Sequence, residues 1–332
     1  MSHRAAIAKI LKTSPSTLIV CHVQPDGDCL GASLALALAL RRLGAAATVA
    51  SADGVPPTLA FLPGASLVHT TWPEEVAPPV AVTMECSSLD RAGALAPVVE
   101  RARTILAIDH HAGHLPYATV TDWDPAAAAV GEQVMDLIGL LGVPIDREIA
   151  LGLLTALVTD TGVFRYANTT PRTLRLAADL IERGATLREI VRAVYEELPA
   201  STVRLLGAAL AGAALYEGGA VASTVITPQM LAAAGAGPEE TSGIAAALRT
   251  IGGVRLAATF EDRGDVIHVS IRARDGARAD RVAEALGGGG HAGAAGAEVR
   301  AALDDVMAQA LAACHQELIR SRDGEERPAS GA

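Results

Sequence analysis

The feature that most constrains this sequence is an alternation in its first 110 residues. Short runs of apolar and β-branched residues at 17–23, 46–50, 80–84 and 104–108 are separated by stretches with helical periodicity. Runs this short, without polar alternation, are what strands buried on both faces look like. Such strands with helices between them assemble into a mainly parallel sheet, so the fold class is α/β. In open sheets of this kind ligands bind beyond the carboxyl ends of the strands. Chemistry is therefore to be sought in the residues that follow each run.

From about residue 146 to 216 the pattern becomes almost wholly helical, interrupted at Gly162, at 168–171 and at Gly184. Strands return at 221–226, 254–261 and 266–273, followed by a helix that ends in Gly287 to Gly290 and a long helix from about Ala302. The expected organisation is an N-terminal domain over 1–185, a helical linker over 186–216, a smaller α/β domain over 217–320, and a disordered polar tail over 321–332 (SRDGEERPASGA). A chain of 332 residues that is 50% hydrophobic can fill two cores. Its most apolar segment, 30–40, is too short to span a bilayer, which takes roughly 20 residues. The N-terminus has no apolar run with a cleavage site, and the four cysteines show neither CxxC spacing nor a disulfide framework. Together these point to the cytoplasm, away from any membrane, and to cysteines that act as small buried hydrophobes. A net charge of -10 repels long polyanions, which favours a small substrate over duplex DNA.

His22, Asp26 and Asp28 follow the first run in the segment HVQPDGD. Taken alone, Pro-Asp-Gly-Asp is also good turn and capping chemistry. The pattern, however, recurs. Glu85 follows the third run, Asp109, His110 and His111 follow the fourth, and Asp160 ends the apolar helix that begins near Ile149. Four segments thus deliver acids or imidazoles at element ends, which is a ligand constellation rather than four coincidental caps. Carboxylate oxygens mixed with imidazole nitrogens suit Mn²⁺, Fe²⁺, Co²⁺ or Zn²⁺, and in the absence of thiolates Mn²⁺ is the first expectation. More ligands are present than one ion needs. Two divalent ions sharing a carboxylate is an arrangement that hydrolyses phosphate esters.

In order and spacing, His22-x-x-x-Asp26-x-Asp28, Glu85, Asp109-His110-His111 and Thr159-Asp160-Thr161-Gly162-x-Phe164 resemble the four motifs of the DHH phosphoesterases. The segments VSIR, ending at Arg272, and GGGGHAGAAG, starting at Gly287, resemble the substrate-binding domain associated with that family. The whole is similar to the subgroup of nanoRNases and pAp phosphatases, pAp being 3'-phosphoadenosine 5'-phosphate. The resemblance implies that His22 and Asp26 hold one metal, that Asp28, His110 and Asp160 hold the other, and that Glu85 bridges them. It further implies that Asp109 orients the neighbouring imidazole and His111 contacts the scissile phosphate, while Arg272, Gly288, Gly289, Gly290 and His291 bind the substrate. The family normally has Asp where this chain has Glu85, a departure that keeps the charge and adds a methylene.

The implied activity is hydrolysis of short RNA oligonucleotides or linear dinucleotides to mononucleotides, and of pAp to AMP, with the C-terminal domain closing over the substrate. Two enzyme rivals share the N-terminal motifs. An inorganic pyrophosphatase is disfavoured by the Gly-rich segment at His291, and a RecJ-like exonuclease by chain length and by 27 basic residues against 37 acidic ones. A nucleotide-binding regulator with a degenerate metal centre is the non-enzyme rival, supported by Glu85 alone. The other histidines, His3, His69, His114, His268 and His315, read as surface or structural. The sequence leaves homodimer formation open.

Overall fold

The computed structural model describes residues 2–73, 75–111 and 113–325. The chain divides into two compact units, 1–197 and 198–332. The division falls inside the stretch that the sequence suggests as a separate linker, 186–216, and the residues on either side of it pack with one unit or the other.

The first unit contains, in chain order, α1 (His3–Thr13), β1 (Ser16–Cys21), α2 (Gly27–Arg42), β2 (Ala46–Ala50), β3 (Val80–Met84), α3 (Ala96–Glu100), β4 (Thr104–Asp109), β5 (Val120–Trp123), α4 (Val130–Leu141), α5 (Arg147–Asp160), α6 (Pro171–Glu182) and α7 (Leu187–Val191). Its sheet has the order β2-β1-β3-β4-β5 and every pairing is parallel. Every residue of β3 is buried, as are Leu18–Cys21 of β1, which is why these strands read as unbroken apolar runs. The strand order reverses between β1 and β3. Chains leaving these neighbours depart toward opposite faces, and the crevice this opens lies at the carboxyl ends of both strands.

Helices α2 and α5 of this unit pack backbone to backbone. A Cβ added at Gly31 of α2 would lie 2.4 Å from the carbonyl oxygen of Gly152 in α5, and one added at Gly152 would lie 2.7 Å from that of Gly31. Glycine at both crossing positions is what permits this approach. The core against them is aliphatic and includes Leu30, Leu36, Leu40, Ile149, Leu153 and Leu157.

The second unit contains α8 (Ala200–Ala211), β6 (Ala214–Tyr216), β7 (Val221–Ile226), α9 (Pro228–Ala234), α10 (Ile244–Leu248), β8 (Leu256–Asp262), β9 (Ile267–Ala273), α11 (Ala279–Glu284), β10 (Gly289–Gly290), β11 (Ala294–Val299) and α12 (Leu303–Glu325). Its sheet has the order β10-β11-β9-β8-β7-β6, with β7 and β8 parallel and the other pairs antiparallel. Helix α12 continues through Ser321 to Glu325, so the first part of the expected disordered tail is helical; residues 326–332 lie outside the described residues. No helix among the described residues is long and apolar enough to cross a membrane.

Candidate metal centre

His22 leaves the end of β1, and its Nδ1 donates to the carbonyl of Val23 at 2.7 Å. In the neutral ring that bond places the proton on Nδ1 and leaves Nε2 as a lone-pair donor. Nε2 faces Asp26 Oδ1 at 3.9 Å and Glu85 Oε2 at 3.8 Å. Asp26 is the N-cap of α2 and accepts from the N–H of Cys29. Burial alone would raise the Asp26 pKa, but the hydrogen bond and charge of His22 outweigh it and hold the carboxyl below its usual value.

His110 follows β4, with Nδ1 donating to the carbonyl of Ala127 at 3.1 Å. Its Nε2 lies 3.3 Å from Glu85 Oε1, 3.8 Å from Asp160 Oδ2 and 4.0 Å from Asp28 Oδ2. Asp28, in the first turn of α2, accepts from the N–H groups of Val130 and Gly131 at 2.7 and 3.0 Å. These are the opening donors of α4, and a helix N-terminus is a natural seat for a carboxylate. Asp160 ends α5, where the Asn168 side chain donates to its Oδ2 at 3.3 Å.

Glu85 joins the two groups. It is 2% exposed, and its two oxygens face different imidazoles, Oε1 toward His110 and Oε2 toward His22. Its backbone is left-handed, with φ +56°. A side chain of this length in that conformation costs energy that the surrounding structure must offset, and such strain gathers at functional positions. Oε2 has no hydrogen-bond partner among the described residues. Burial, then repulsion from Asp28, Asp26 and Asp160, pushes the Glu85 carboxyl well above its ordinary value. Burial and Asp160 likewise push Asp28 up to about 8.

A buried carboxylate oxygen without a donor, set among imidazole nitrogens and further acids, is a donor set that fits divalent cations. Ligand atoms of Asp28, His110 and Asp160 lie within 4.8 Å of one another, as do those of Glu85, His110 and His111, and those of His22, Cys29 and Glu85. All six residues expected as ligands are thus brought to one end of the sheet. Cys29, expected as a small buried hydrophobe, is buried but has its sulfur beside this cluster, donating to the Met84 carbonyl at 3.4 Å.

Asp109 is buried at the end of β4 and binds two imidazoles. Oδ1 accepts from His111 Nδ1 at 2.6 Å and Oδ2 from His114 Nδ1 at 2.7 Å. Sequence reasoning leaves His114 outside any constellation. Nothing in its spacing marks it, because the irregular loop after β4 is what turns it back onto Asp109.

Within the second unit, Arg272 of β9 is paired with Ala294 of β11, and the turn from β10 to β11 is closed by bonds between His291 and Ala294. Two of the glycines before it, Gly288 and Gly290, are required by packing. A Cβ at Gly288 would lie 2.1 Å from the Gly296 carbonyl oxygen, and one at Gly290 2.6 Å from Ala295 Cα. The N–H groups of Gly287, Gly288 and His291 are bonded within the unit, to Glu284, Ala283 and Ala294.

Residues 16–157 match the DHH family, N-terminal domain, and residues 219–319 match the DHHA1 domain. The chain is 36% identical over 317 residues to the bifunctional oligoribonuclease and PAP phosphatase NrnA of Thermus thermophilus, covering 95% of this chain and 94% of that relative. The chain belongs to the DHH family. The fold of this DHH-family chain is shared along its length with an exopolyphosphatase-related protein from Bacteroides fragilis, at a TM-score of 0.90 and 23% identity over 96% of this chain and 97% of that one. RecJ of Thermus thermophilus, solved in complex with Mn²⁺, shares the fold at a TM-score of 0.55 and 15% identity, over 95% of this chain and 55% of its own.

Proposed function

We propose that this DHH-family chain is a divalent-metal phosphoesterase that cleaves short oligoribonucleotides and linear dinucleotides to mononucleotides and removes the 3'-phosphate of pAp to give AMP. The observation that carries the reading is Glu85, one carboxylate whose two oxygens face two separate imidazole and acid groups. That arrangement suits two ions sharing a bridge, with Mn²⁺ the first candidate for a mixed nitrogen and oxygen set. His22 and Asp26 would hold one ion, and Asp28, His110 and Asp160 the other. Ions bound there would supply Lewis-acid charge at the phosphoryl oxygens and would lower the pKa of an attacking water.

The protein's own groups do the rest. Asp109 fixes His111 through Nδ1, and His111 is the group assigned to the scissile phosphate. Val23 and Ala127 carbonyls accept from Nδ1 of the two imidazoles, an orientation that would leave each Nε2 to face a bound ion. Arg272 and His291 supply charge and hydrogen bonds to the substrate's remote end, with Gly288, Gly289 and Gly290 shaping the turn that presents His291. The relative from Thermus thermophilus, named for both activities, supports this substrate range. Four buried cysteines, with no disulfide among the described residues, fit a reducing cytoplasm.

The test is to incubate Mn²⁺-loaded protein with pAp, linear diadenylate, a five-residue RNA and pyrophosphate and to identify the products. AMP from the first two, mononucleotides from the RNA and intact pyrophosphate are expected. Cleavage of pyrophosphate alone would replace this reading with that of a pyrophosphatase.

A further inference from the structure

We propose that Trp123 is a stacking platform for a nucleobase next to the scissile phosphate, a role that rests on the phosphoesterase reading above. Trp123 is the last residue of β5 and pairs in register with Asp109, which carries the His111 imidazole. Its indole N–H donates to the backbone carbonyl of His111 at 2.7 Å. The side chain is nevertheless 48% exposed. In a chain with only 3% aromatic residues, a tryptophan left half in water beside the centre stands out.

The geometry selects the ligand chemistry. The one polar atom of the indole is already engaged inward, so what the ring offers to solvent is apolar π-surface. The bond to His111 holds the ring against rotation, so little side-chain entropy remains to be lost when a flat ligand docks. A nucleobase is the flat, π-bearing group that accompanies the phosphate in pAp, in linear dinucleotides and in oligoribonucleotides alike. Because every base has a π-face, such a platform reads no sequence and tolerates any short oligonucleotide. It also adds affinity without positive charge, which suits a chain of net charge -10.

The experiment uses the full chain. Trp72 and Trp123 are its two tryptophans, so Trp72→Phe leaves Trp123 as the sole indole reporter. AMP should quench its emission saturably, whereas ribose 5-phosphate, which lacks the base, should leave it unchanged. Trp123→Ala should raise KM for linear diadenylate about 5- to 100-fold with kcat within about threefold, since aromatic stacking contributes on that scale. Trp123→Phe should restore most of the lost affinity, and Trp123→Leu, which keeps apolar bulk without a π-face, should not. Rescue by Leu, equal quenching by ribose 5-phosphate, or a loss confined to kcat would overturn the proposal and leave Trp123 as a support for the His111 backbone. Quenching by AMP in a protein that fails to cleave diadenylate would sink the substrate reading and keep the platform. Normal cleavage without quenching would do the reverse.

Discussion

Gly31→Ala tests whether the α2–α5 crossing sets the metal centre. The new methyl would sit 2.4 Å from the Gly152 carbonyl oxygen and 3.2 Å from the Ala156 nitrogen, about 1 Å short of ordinary contact at the first of these. Both obstacles are backbone, so no side chain can rotate away and the helices must part. Overpacking of this kind costs about 1–3 kcal/mol, equivalent to a fall of roughly 3–10 °C in Tm for a unit of this size. Asp28 lies one turn before Gly31 on α2, and Asp160 ends α5. Separating the helices by even half that shortfall exceeds the ~0.2 Å tolerance of metal–ligand distances, and Mn²⁺ affinity should drop about tenfold or more. Thermal melts with and without Mn²⁺, together with a Mn²⁺ titration, read both effects. Gly139→Ala is the control: it is exposed in α4 with nothing within 4 Å of the new methyl, and should be neutral or stabilising by up to about 1 kcal/mol. Wild-type stability and Mn²⁺ affinity in Gly31→Ala would refute the reasoning. A lower Tm with unchanged affinity would show that the crossing supports the fold without setting the ligand spacing.

Glu85→Asp should retain measurable turnover because a carboxylate remains, while Glu85→Gln should lose at least about a hundredfold in kcat; equal activities would remove Glu85 from the ligand set. Asp28→Ala and His110→Ala should each abolish turnover with Mn²⁺ supplied, and full activity in either would dismiss the two-ion arrangement. Chelation should expose a pH dependence. Asp28 is pushed up to about 8 from 3.8, so the folded metal-free protein binds the extra proton and loses stability as pH rises from about 4 to about 8. Melts in chelator from pH 5 to 8 should show Tm falling and Mn²⁺ restoring more at the alkaline end; a Tm that rises across that range contradicts the assignment. Arg272→Ala should leave Mn²⁺ content unchanged and cut activity on pAp and diadenylate far more than on a small generic phosphodiester, whereas equal losses on all three would place Arg272 in catalysis or folding.

The sequence is most informative where burial is complete. β1, β3 and β4 are legible because both faces of the sheet are covered and most of their positions are buried and apolar. β5 is not: VTDW is a four-residue edge strand with Trp123 exposed, and it lacks both the length and the pattern of its neighbours. β11 escapes for a different reason. Its sequence AAGAEV has little strand propensity, and pairing with β9 holds it extended. The residues proposed as ligands are legible because each lies at the end or start of an element, and their order carries the family likeness. His114 and Cys29 are not, since a loop returns one to Asp109 and a helix turn brings the other beneath His22. The glycine run resembles a substrate-binding segment, and the close passage of this segment along β11 demands glycine at Gly288 and Gly290 on packing grounds.

The switch point between β1 and β3 has a consequence for the order of events during synthesis. The residues proposed as ligands run from His22 to Asp160, so a growing chain cannot assemble the whole set before α5 has been made and packed. On the proposed assignment, the complete ligand set would form only in the finished domain. Interactions absent from the folding transition state slow unfolding without speeding folding. Bound ions should accordingly lengthen the lifetime of the native first unit, acting as a lock closed last.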